Sequence, residues 1–424
     1  MNVFRRKRCL WTLERWSFYA LLAEAFCIAV WPAAAIVCLL AGFVCWLLRM
    51  KLDAGCHFRR GPLDIPLLLF AVLGAASVTV SPDPAFSFYN YYNLVGVYVL
   101  TYLLALQTIT SEEQLKQLFF AMAAAALCTV LYGFWQFAFG IDTSAMKWVD
   151  GDAFPELKKR IFSTWENPNI FAGYLDEAIC MAFAFLVTDK SVRRRFLYGG
   201  AILALAACLA MTYARGACLS LAVVLLGYGI LKDRRVLFGC LALGAVILLL
   251  DPALTERLMS VFTKMDTSSE MRLALWESTI AMILDHPLLG IGWGAYWMVY
   301  PEYDFYINDI TVRIVHAHNM YLNYAAEIGI PGAAAYLWYF FGTMRLAFLP
   351  MRRTVSPFLQ ALRLGIGLAL VSVALGGLTD DVLFNIPTSM LLWLLCAMVA
   401  VSGKDDILGG VYCERTAGDF QSHH

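Results

Sequence analysis

Long apolar stretches separated by short polar breaks recur along most of the chain, and this pattern constrains the fold more than any other feature. A helix that crosses a bilayer needs about 20 predominantly apolar residues. Twelve candidate stretches can be read, at 16–30, 32–48, 64–80, 90–108, 116–138, 169–188, 196–213, 216–231, 236–250, 326–346, 358–376 and 388–402. The sequence therefore predicts an all-α, polytopic integral membrane protein with about twelve transmembrane helices.

Composition and charge exclude the main soluble classes. The chain is 61% hydrophobic and 15% charged, whereas a soluble domain is roughly 45–50% apolar and about 25% charged. The 32 Lys and Arg residues balance 32 Asp and Glu residues. A soluble globular enzyme, a disordered chain and a basic nucleic-acid-binding protein are therefore not expected, and no nucleic-acid partner is predicted.

The distribution of basic residues predicts the orientation of the chain. If the N-terminus lies inside, 23 of the 32 Lys and Arg residues fall in inner segments, as the positive-inside rule requires. Both termini are then cytoplasmic. The predicted organisation is helices 1–9 in residues 1–250, including an outer loop at 139–168, an extracytoplasmic loop at 251–325, helices 10–12 in 326–402 and a cytoplasmic tail at 403–424.

The outer loop at 251–325 is predicted to be partly helical. Thr267 and Glu270 have the spacing of a capping box, and an apolar pattern follows them. Pro287 ends this helix, because proline disfavours helical geometry in the residue before it. Three glycines, at 290, 292 and 294, then form a turn. We expect an amphipathic helix on the outer membrane face, with Arg272 and Trp276 on one side of it.

The same loop carries the side chains best suited to chemistry. Its histidines are His286, His316 and His318, and histidine is the side chain best suited to proton transfer near neutral pH. Arginine binds phosphate oxygens through a forked set of donors and does not lose its charge. Arg272 and Arg313 in the loop, and Arg215 at the outer start of a span, therefore favour a lipid-linked phosphate substrate.

Other interpretations of the loop histidines remain open. His316 and His318 can form a metal-binding pair, completed by His286 or Asp285, although no third ligand has a diagnostic spacing. Either histidine can instead satisfy backbone groups.

Other polar residues also have alternative roles. Arg215 can extend its charge to the membrane surface, and Trp276 can be an interfacial anchor. Asp150 and Asp152 resemble a metal site of some lipid-linked glycosyltransferases, or form a turn of solvated acids. Asp380 and Asp381, in the last outer turn, can cap a helix.

Five segments together resemble the O-antigen ligase / O-antigen polymerase superfamily. They are Arg215-Gly216 at a span start, FSTWENPN at 162–169 with Ala172-Gly173, RLALW at 272–276, HPLLGIGWG at 286–294, and HAHNMYL at 316–322 followed by EIGIPG at 327–332. The resemblance is clearest over residues from about 160 to 335. It implies a GT-C-like membrane enzyme that transfers a glycan from undecaprenyl diphosphate to an acceptor hydroxyl, on the outer face of the bacterial cytoplasmic membrane.

The resemblance also implies roles for individual residues. His318, before an asparagine, is the expected general base, and Arg215 and Arg272 are expected to hold the diphosphate, joined less securely by Arg160 and Arg313. The supporting residues are Asn319, Trp276, His316 and Glu327. The reaction is expected to invert the anomeric carbon without a metal or other cofactor. The acceptor is lipid A core oligosaccharide for a ligase, or another surface glycan.

Two other functions remain as alternatives. A polymerase of the same superfamily adds the glycan to another lipid-linked repeat, and the sequence does not separate it from a ligase. A membrane transporter, such as a bicarbonate carrier, is disfavoured because transporters usually bind substrate at mid-membrane and often contain repeats. Here the candidate residues lie at the outer edge, and no repeat is visible.

Overall fold

The computed structural model describes residues 3–140, 160–250, 267–305, 314–351, 355–381, 383 and 385–404, and these residues form helices and no strand. The helices are α1 (Val3–Val30), α2 (Pro32–Leu52), α3 (Asp64–Ser77), α4 (Pro84–Tyr91), α5 (Val97–Thr108), α6 (Glu112–Phe139), α7 (Pro168–Thr188), α8 (Val192–Thr212), α9 (Arg215–Leu231), α10 (Arg234–Leu250), α11 (Thr267–Asp285), α12 (Met320–Phe348), α13 (Pro357–Gly376) and α14 (Ile386–Ser402). A 3₁₀ turn follows α3, and a π-helical turn precedes α5.

The predicted apolar stretches coincide with helices in every case. Five helices of the described chain are long and apolar enough to cross a membrane, namely α2, α6, α7, α8 and α13. Helices α3, α5, α9 and α14 are apolar but shorter. The all-helical, multi-pass architecture is thus confirmed, whereas the number of twelve crossings and their orientation stay predictions.

Burial separates an inner set of helices from an outer set. In α14 every residue from Thr388 to Ser402 is buried, and a helix that is apolar all round is typical of such a central position. Helices α5 and α1 pack against α14, and α7 packs along α13. By contrast, the apolar side chains of Val37 on α2 and Phe120 on α6 are exposed. Such outward apolar faces are typical of helices that contact lipid.

The segment 267–305 forms a small unit of its own on α12. Helix α11 ends at Asp285, directly before His286-Pro287, as the sequence predicts. Buried side chains of this unit, among them Leu275, Met282 and Tyr296, form a second apolar cluster apart from the main core. The unit therefore has a packed interior that can hold side chains of α11 in fixed positions.

A glycine turn connects this unit to a kink in α12. Gly329 interrupts α12 with φ of 72° and ψ of 169°. The freed backbone groups pair with the turn after α11: Ile291 N–H donates to Ala326 O (2.8 Å), and Ile330 N–H donates to Pro287 O (2.9 Å). Gly290 also has a positive φ of 71°, and a Cβ there would lie 2.4 Å from Ala326 O. Two of the motif glycines are thus explained by close backbone packing.

Candidate functional site

His318 lies directly before α12 in a constrained backbone conformation. Its φ is 47°, in the left-handed region. The next residue, Asn319, is the N-cap of α12, and its Oδ1 accepts from Tyr321 N–H and Leu322 N–H, both at 3.0 Å. The Nδ2 of Asn319 donates to Leu378 O (3.0 Å), which ties this helix start to the turn after α13. The local fold therefore holds His318 against that turn.

Asp380, in that turn, is the partner of the His318 ring. Nδ1 of His318 lies 3.1 Å from Oδ1 of Asp380. Burial alone would raise the pKa of Asp380, but the hydrogen bond to His318 and the nearby charge of Arg272 outweigh it and hold that pKa below its usual range. An ionised carboxylate can only accept, so Nδ1 carries the proton. In the neutral imidazole, Nε2 then has the lone pair that a general base needs.

His316 has a different environment from His318. Burial, together with the nearby His318 and Arg272, lowers the pKa of His316 to about 4. Its Nδ1 accepts a hydrogen bond from the backbone N–H of His318 (3.1 Å), and the two ring centroids are 4.2 Å apart. A neutral ring that accepts at Nδ1 positions the backbone of His318, which agrees with the backbone-satisfying alternative for His316.

Three of the four predicted arginines line one cavity of about 260 Å³. Arg160, Arg215 and Arg272 come from the segment before α7, the start of α9 and the first half of α11. Asp380 lines the same cavity, so the His318 pair lies at its border. Asp176 is a second acid there. Three guanidinium groups against two carboxylates leave a net positive charge, which suits an anion.

Arg160 is held by the protein itself. Its side chain is buried (8% exposed). Its Nε donates to Thr212 O (2.7 Å), and its Nη2 donates to Asn169 Oδ1 (2.8 Å). Asn169 Nδ2 in turn lies 3.4 Å from Asp380 Oδ2. The motif residue Asn169 thus bridges Arg160 to the His318–Asp380 pair.

Arg215 is the first residue of α9, which follows a tight turn at the end of α8. Tyr213 adopts the left-handed conformation that ends α8 (φ 54°, ψ 28°), so the chain reverses within two residues. Gly216 lets the neighbouring turn approach, since a Cβ there would be 3.3 Å from Thr379 Oγ1. The start of α9 lines the arginine cavity. First-turn amides at a helix N-terminus attract anions, and Arg215 adds a full charge to them.

Arg272 reaches the cavity from α11. Its Nε is buried and has no hydrogen-bond partner among the described residues. The indole Nε1 of Trp276, one helical turn later, is also buried without a partner in that part of the chain. A buried donor without a partner is costly, so this face of α11 is suited to a ligand that supplies acceptors.

The predicted supporting residue Glu327 lies in the first half of α12 and does not line the arginine cavity. Its Oε2 accepts from Gly294 N–H (3.0 Å), which fixes the glycine turn to α12 through a side chain as well. Asn323, one helical turn earlier, accepts from Ala317 N–H (3.1 Å). These bonds connect α12 to the glycine turn and to the backbone between His316 and His318.

The structure brings together most of the predicted site residues, but not all of them. His318, Arg160, Arg215 and Arg272 surround one region, and their roles stay predictions. Arg313, Asp150 and Asp152 lie outside the described residues. Asp380 had no predicted role in the site, and the bridge through Asn169 was not predicted from the sequence. The signal for Asp380 was the acid pair 380–381 in the last outer turn, where the N-cap of α14 is instead Asn385.

A metal-ligand geometry is also present, with a third member that the sequence did not predict. Among the described residues, ligand atoms of His316, His318 and Asp380 lie within 4.8 Å of one another. Asp285 and His286, the predicted third ligands, are exposed and are not part of this group. The donor set of two imidazoles and a carboxylate suits Zn²⁺, but the Nδ1 of His316 is already engaged by the backbone.

Comparison with known proteins gives a family match in the middle of the chain. Residues 199–337 match the family model described as O-Antigen ligase. This range includes Arg215, Arg272 and His318, whereas Arg160 and Asp380 lie outside it. No curated protein matches the chain. The apolar helices are those of a multi-pass membrane protein, and the match, over about a third of the chain, supports the O-antigen ligase superfamily.

Proposed function

We propose that the protein transfers a glycan from undecaprenyl diphosphate to an acceptor hydroxyl, as a ligase acting on the outer face of the bacterial cytoplasmic membrane. The observation that carries this proposal is the His318–Asp380 pair at the border of a cavity lined by three arginines. A base and a diphosphate site must flank the same anomeric carbon for this reaction, because the hydroxyl attacks that carbon from the face opposite the departing diphosphate.

The reaction needs no covalent intermediate on the protein. The acceptor O–H gives its proton to Nε2 of His318 while its oxygen forms a bond to the anomeric carbon. The bond between that carbon and the diphosphate oxygen breaks, and its electron pair leaves with the lipid diphosphate. A single displacement of this kind inverts the anomeric carbon. A positioned base contributes about 100- to 10,000-fold to the rate.

The chain's own charges are suited to each stage of this step. Asp380 keeps the proton on Nδ1 of His318 and stabilises the imidazolium that forms. Arg215, Arg272 and Arg160 stabilise the charge that grows on the departing diphosphate, and fixed donors in a closed site do this without reorganisation. The proposed reaction therefore requires no metal.

The experiment uses purified full-length protein, undecaprenyl-diphosphate-linked glycan and lipid A core acceptor, with and without EDTA. Wild-type protein is expected to transfer the glycan equally well in both conditions. His318→Ala and His318→Asn are expected to lose transfer by about 100-fold or more while still binding the donor. Asn tolerates the left-handed backbone at position 318, which controls for strain, and His57→Ala, on an exposed histidine remote from the site, controls for handling.

The outcomes separate the candidate functions. Transfer retained by both His318 variants refutes the base assignment, and loss of transfer in EDTA restored by Zn²⁺ refutes the metal-free mechanism. A ladder of product lengths made from donor alone identifies a polymerase, whereas one bulk transfer to the core acceptor identifies a ligase.

A further inference from the structure

A second polar cavity, of about 240 Å³, lies on the other side of the turn that carries Asp380. Asp380 lines the arginine cavity, and the next residue, Asp381, lines this one. Val315 and Asn323 also line it, so it borders the backbone that leads to His318. We call it the carboxylate cavity, since Asp381 and Glu327 are its acidic residues.

The carboxylate cavity contains buried polar atoms that have no partner in the described part of the chain. They are Oδ1 of Asp381, Oε1 of Glu327 and Nε1 of Trp293. Asp381 and Glu327 are each 5% exposed, and Trp293 is 3% exposed. Buried polar side chains in native proteins are normally hydrogen-bonded. Three such atoms around one cavity indicate that a ligand supplies their partners.

The chemistry of these atoms defines the ligand. Two carboxyl groups require hydrogen-bond donors, and the indole N–H requires an acceptor. A sugar hydroxyl can do both. A phosphate dianion carries no proton that it can donate to a carboxyl oxygen. Trp297 adds an aromatic side chain to the lining, and the volume is near the lower end for small-molecule sites, which suits one sugar ring.

The two oxygens of Glu327 are used differently. Oε2 accepts from Gly294 N–H at 3.0 Å, and this bond orients the carboxyl group. Oε1 is then left for the cavity. Asp381 is oriented through its own backbone, whose N–H donates to Oδ1 of Asp380 (2.9 Å). The same carboxylate of Asp380 contacts His318, so the cavity and the proposed base are linked by two consecutive hydrogen bonds.

We propose that the carboxylate cavity binds the neutral, hydroxyl-rich sugar of the acceptor, with Asp381 and Glu327 as positioning residues that accept hydrogen bonds from its hydroxyl groups. This inference rests on the proposed transfer reaction. It divides the substrates by charge: the anionic diphosphate binds among arginines, and the neutral acceptor sugar binds among carboxylates, with His318 between them.

The test measures sugar binding directly, without transfer. Saturation-transfer NMR on the intact protein in detergent uses methyl α-glucoside and methyl α-galactoside as neutral probes and glucose 6-phosphate as an anionic probe. Wild-type protein is expected to bind at least one neutral glycoside and to reject the phosphate. Asp381→Asn and Glu327→Gln are expected to weaken that binding by about 10- to 100-fold, and Glu277→Gln, an exposed acid on α11, is the matched control.

Steady-state kinetics provide a second measurement, because a merely structural role of Asp381 would not change KM for one substrate selectively. In the transfer assay, Asp381→Asn is expected to raise KM for the acceptor while KM for the lipid-linked donor changes less than about twofold. Equal rises in both, undiminished glycoside binding by both variants, or no glycoside binding by wild type overturns the inference. Wild-type transfer with undiminished glycoside binding by the variants overturns this inference alone. Glycoside binding that depends on Asp381, with no transfer by wild type, overturns the proposed function alone.

Discussion

His318 shows how a single residue is fixed by distant parts of the chain. Histidine before Asn-Met-Tyr suggested a base from the sequence, but its partner Asp380 is 62 residues away. No pattern in a single sequence predicts a contact at that separation. The left-handed backbone of His318 was also not predicted from the sequence, because only a few per cent of residues other than glycine adopt it, although histidine is among the enriched types.

Replacing Asp380 separates its effect on catalysis from its effect on binding. Asp380→Asn removes the carboxylate that keeps the proton on Nδ1 of His318, so kcat is expected to fall by about 100-fold or more. The change also removes one negative charge from the arginine cavity, so KM for the diphosphate donor is expected to stay equal or to fall. Steady-state kinetics check both values. An unchanged kcat would contradict the proposed role.

Arginines in the same cavity are expected to respond differently to lysine substitution. Arg272→Lys keeps the charge but loses the forked donors, so donor affinity is expected to fall by about tenfold with little change in thermal stability. Arg160→Lys breaks bonds to Thr212 O and Asn169, so its unfolding temperature is expected to fall by about 2–4 °C. Donor binding and thermal unfolding measured on both variants check this. Equal stability losses would contradict it.

The glycine turn and the kinked helix α12 form one structural element from two separate motifs. The sequence predicted a turn at the glycines and the end of α11 before Pro287, and both are confirmed. It did not predict that the turn packs on Ala326 to Ile330, because backbone pairing between remote segments leaves no periodic signal. Gly290 of HPLLGIGWG and Gly329 of EIGIPG are therefore explained by packing rather than by chemistry.

Substitution at the kink is expected to destabilise the protein. In Gly329→Ala, the new Cβ would lie 2.3 Å from Leu288 O, at a residue with φ of 72°. This combination of φ and ψ, which essentially only glycine adopts, alone costs about 1–3 kcal/mol for a residue with a side chain. Gly199→Ala is the control, because nothing lies within 4 Å of its Cβ position in α8. The thermal unfolding temperature is expected to fall for Gly329→Ala only. Equal unfolding temperatures of Gly329→Ala and Gly199→Ala would contradict this account.

The overall helical architecture was the feature best predicted from the sequence. Apolar stretches of helical length predicted every membrane-type helix, since lipid allows little else than helices to cross it. Which helices lie inside the bundle was not predicted. Helix α14 is apolar on all sides, and so are α2 and α6, yet only α14 is buried throughout. Hydropathy cannot distinguish a lipid neighbour from a protein neighbour.

Cysteine labelling checks the predicted orientation of the whole chain. In a variant without native cysteines, Glu302→Cys is expected to react with a membrane-impermeant maleimide on intact cells, because residues 251–325 are predicted to lie outside. Asp53→Cys, in a predicted inner loop, is expected to react only after permeabilisation. The reverse pattern would place the His318 region in the cytoplasm and contradict the proposed reaction.

Asp380 and Asp381 are neighbours in one short turn, yet they line two different cavities. The two residues share a peptide bond, so a backbone rotation at one of them moves the other, and we expect their carboxyl groups to be energetically coupled. A double-mutant cycle of Asp380→Asn and Asp381→Asn is therefore expected to show non-additive losses of transfer rate, as contacting residues generally do.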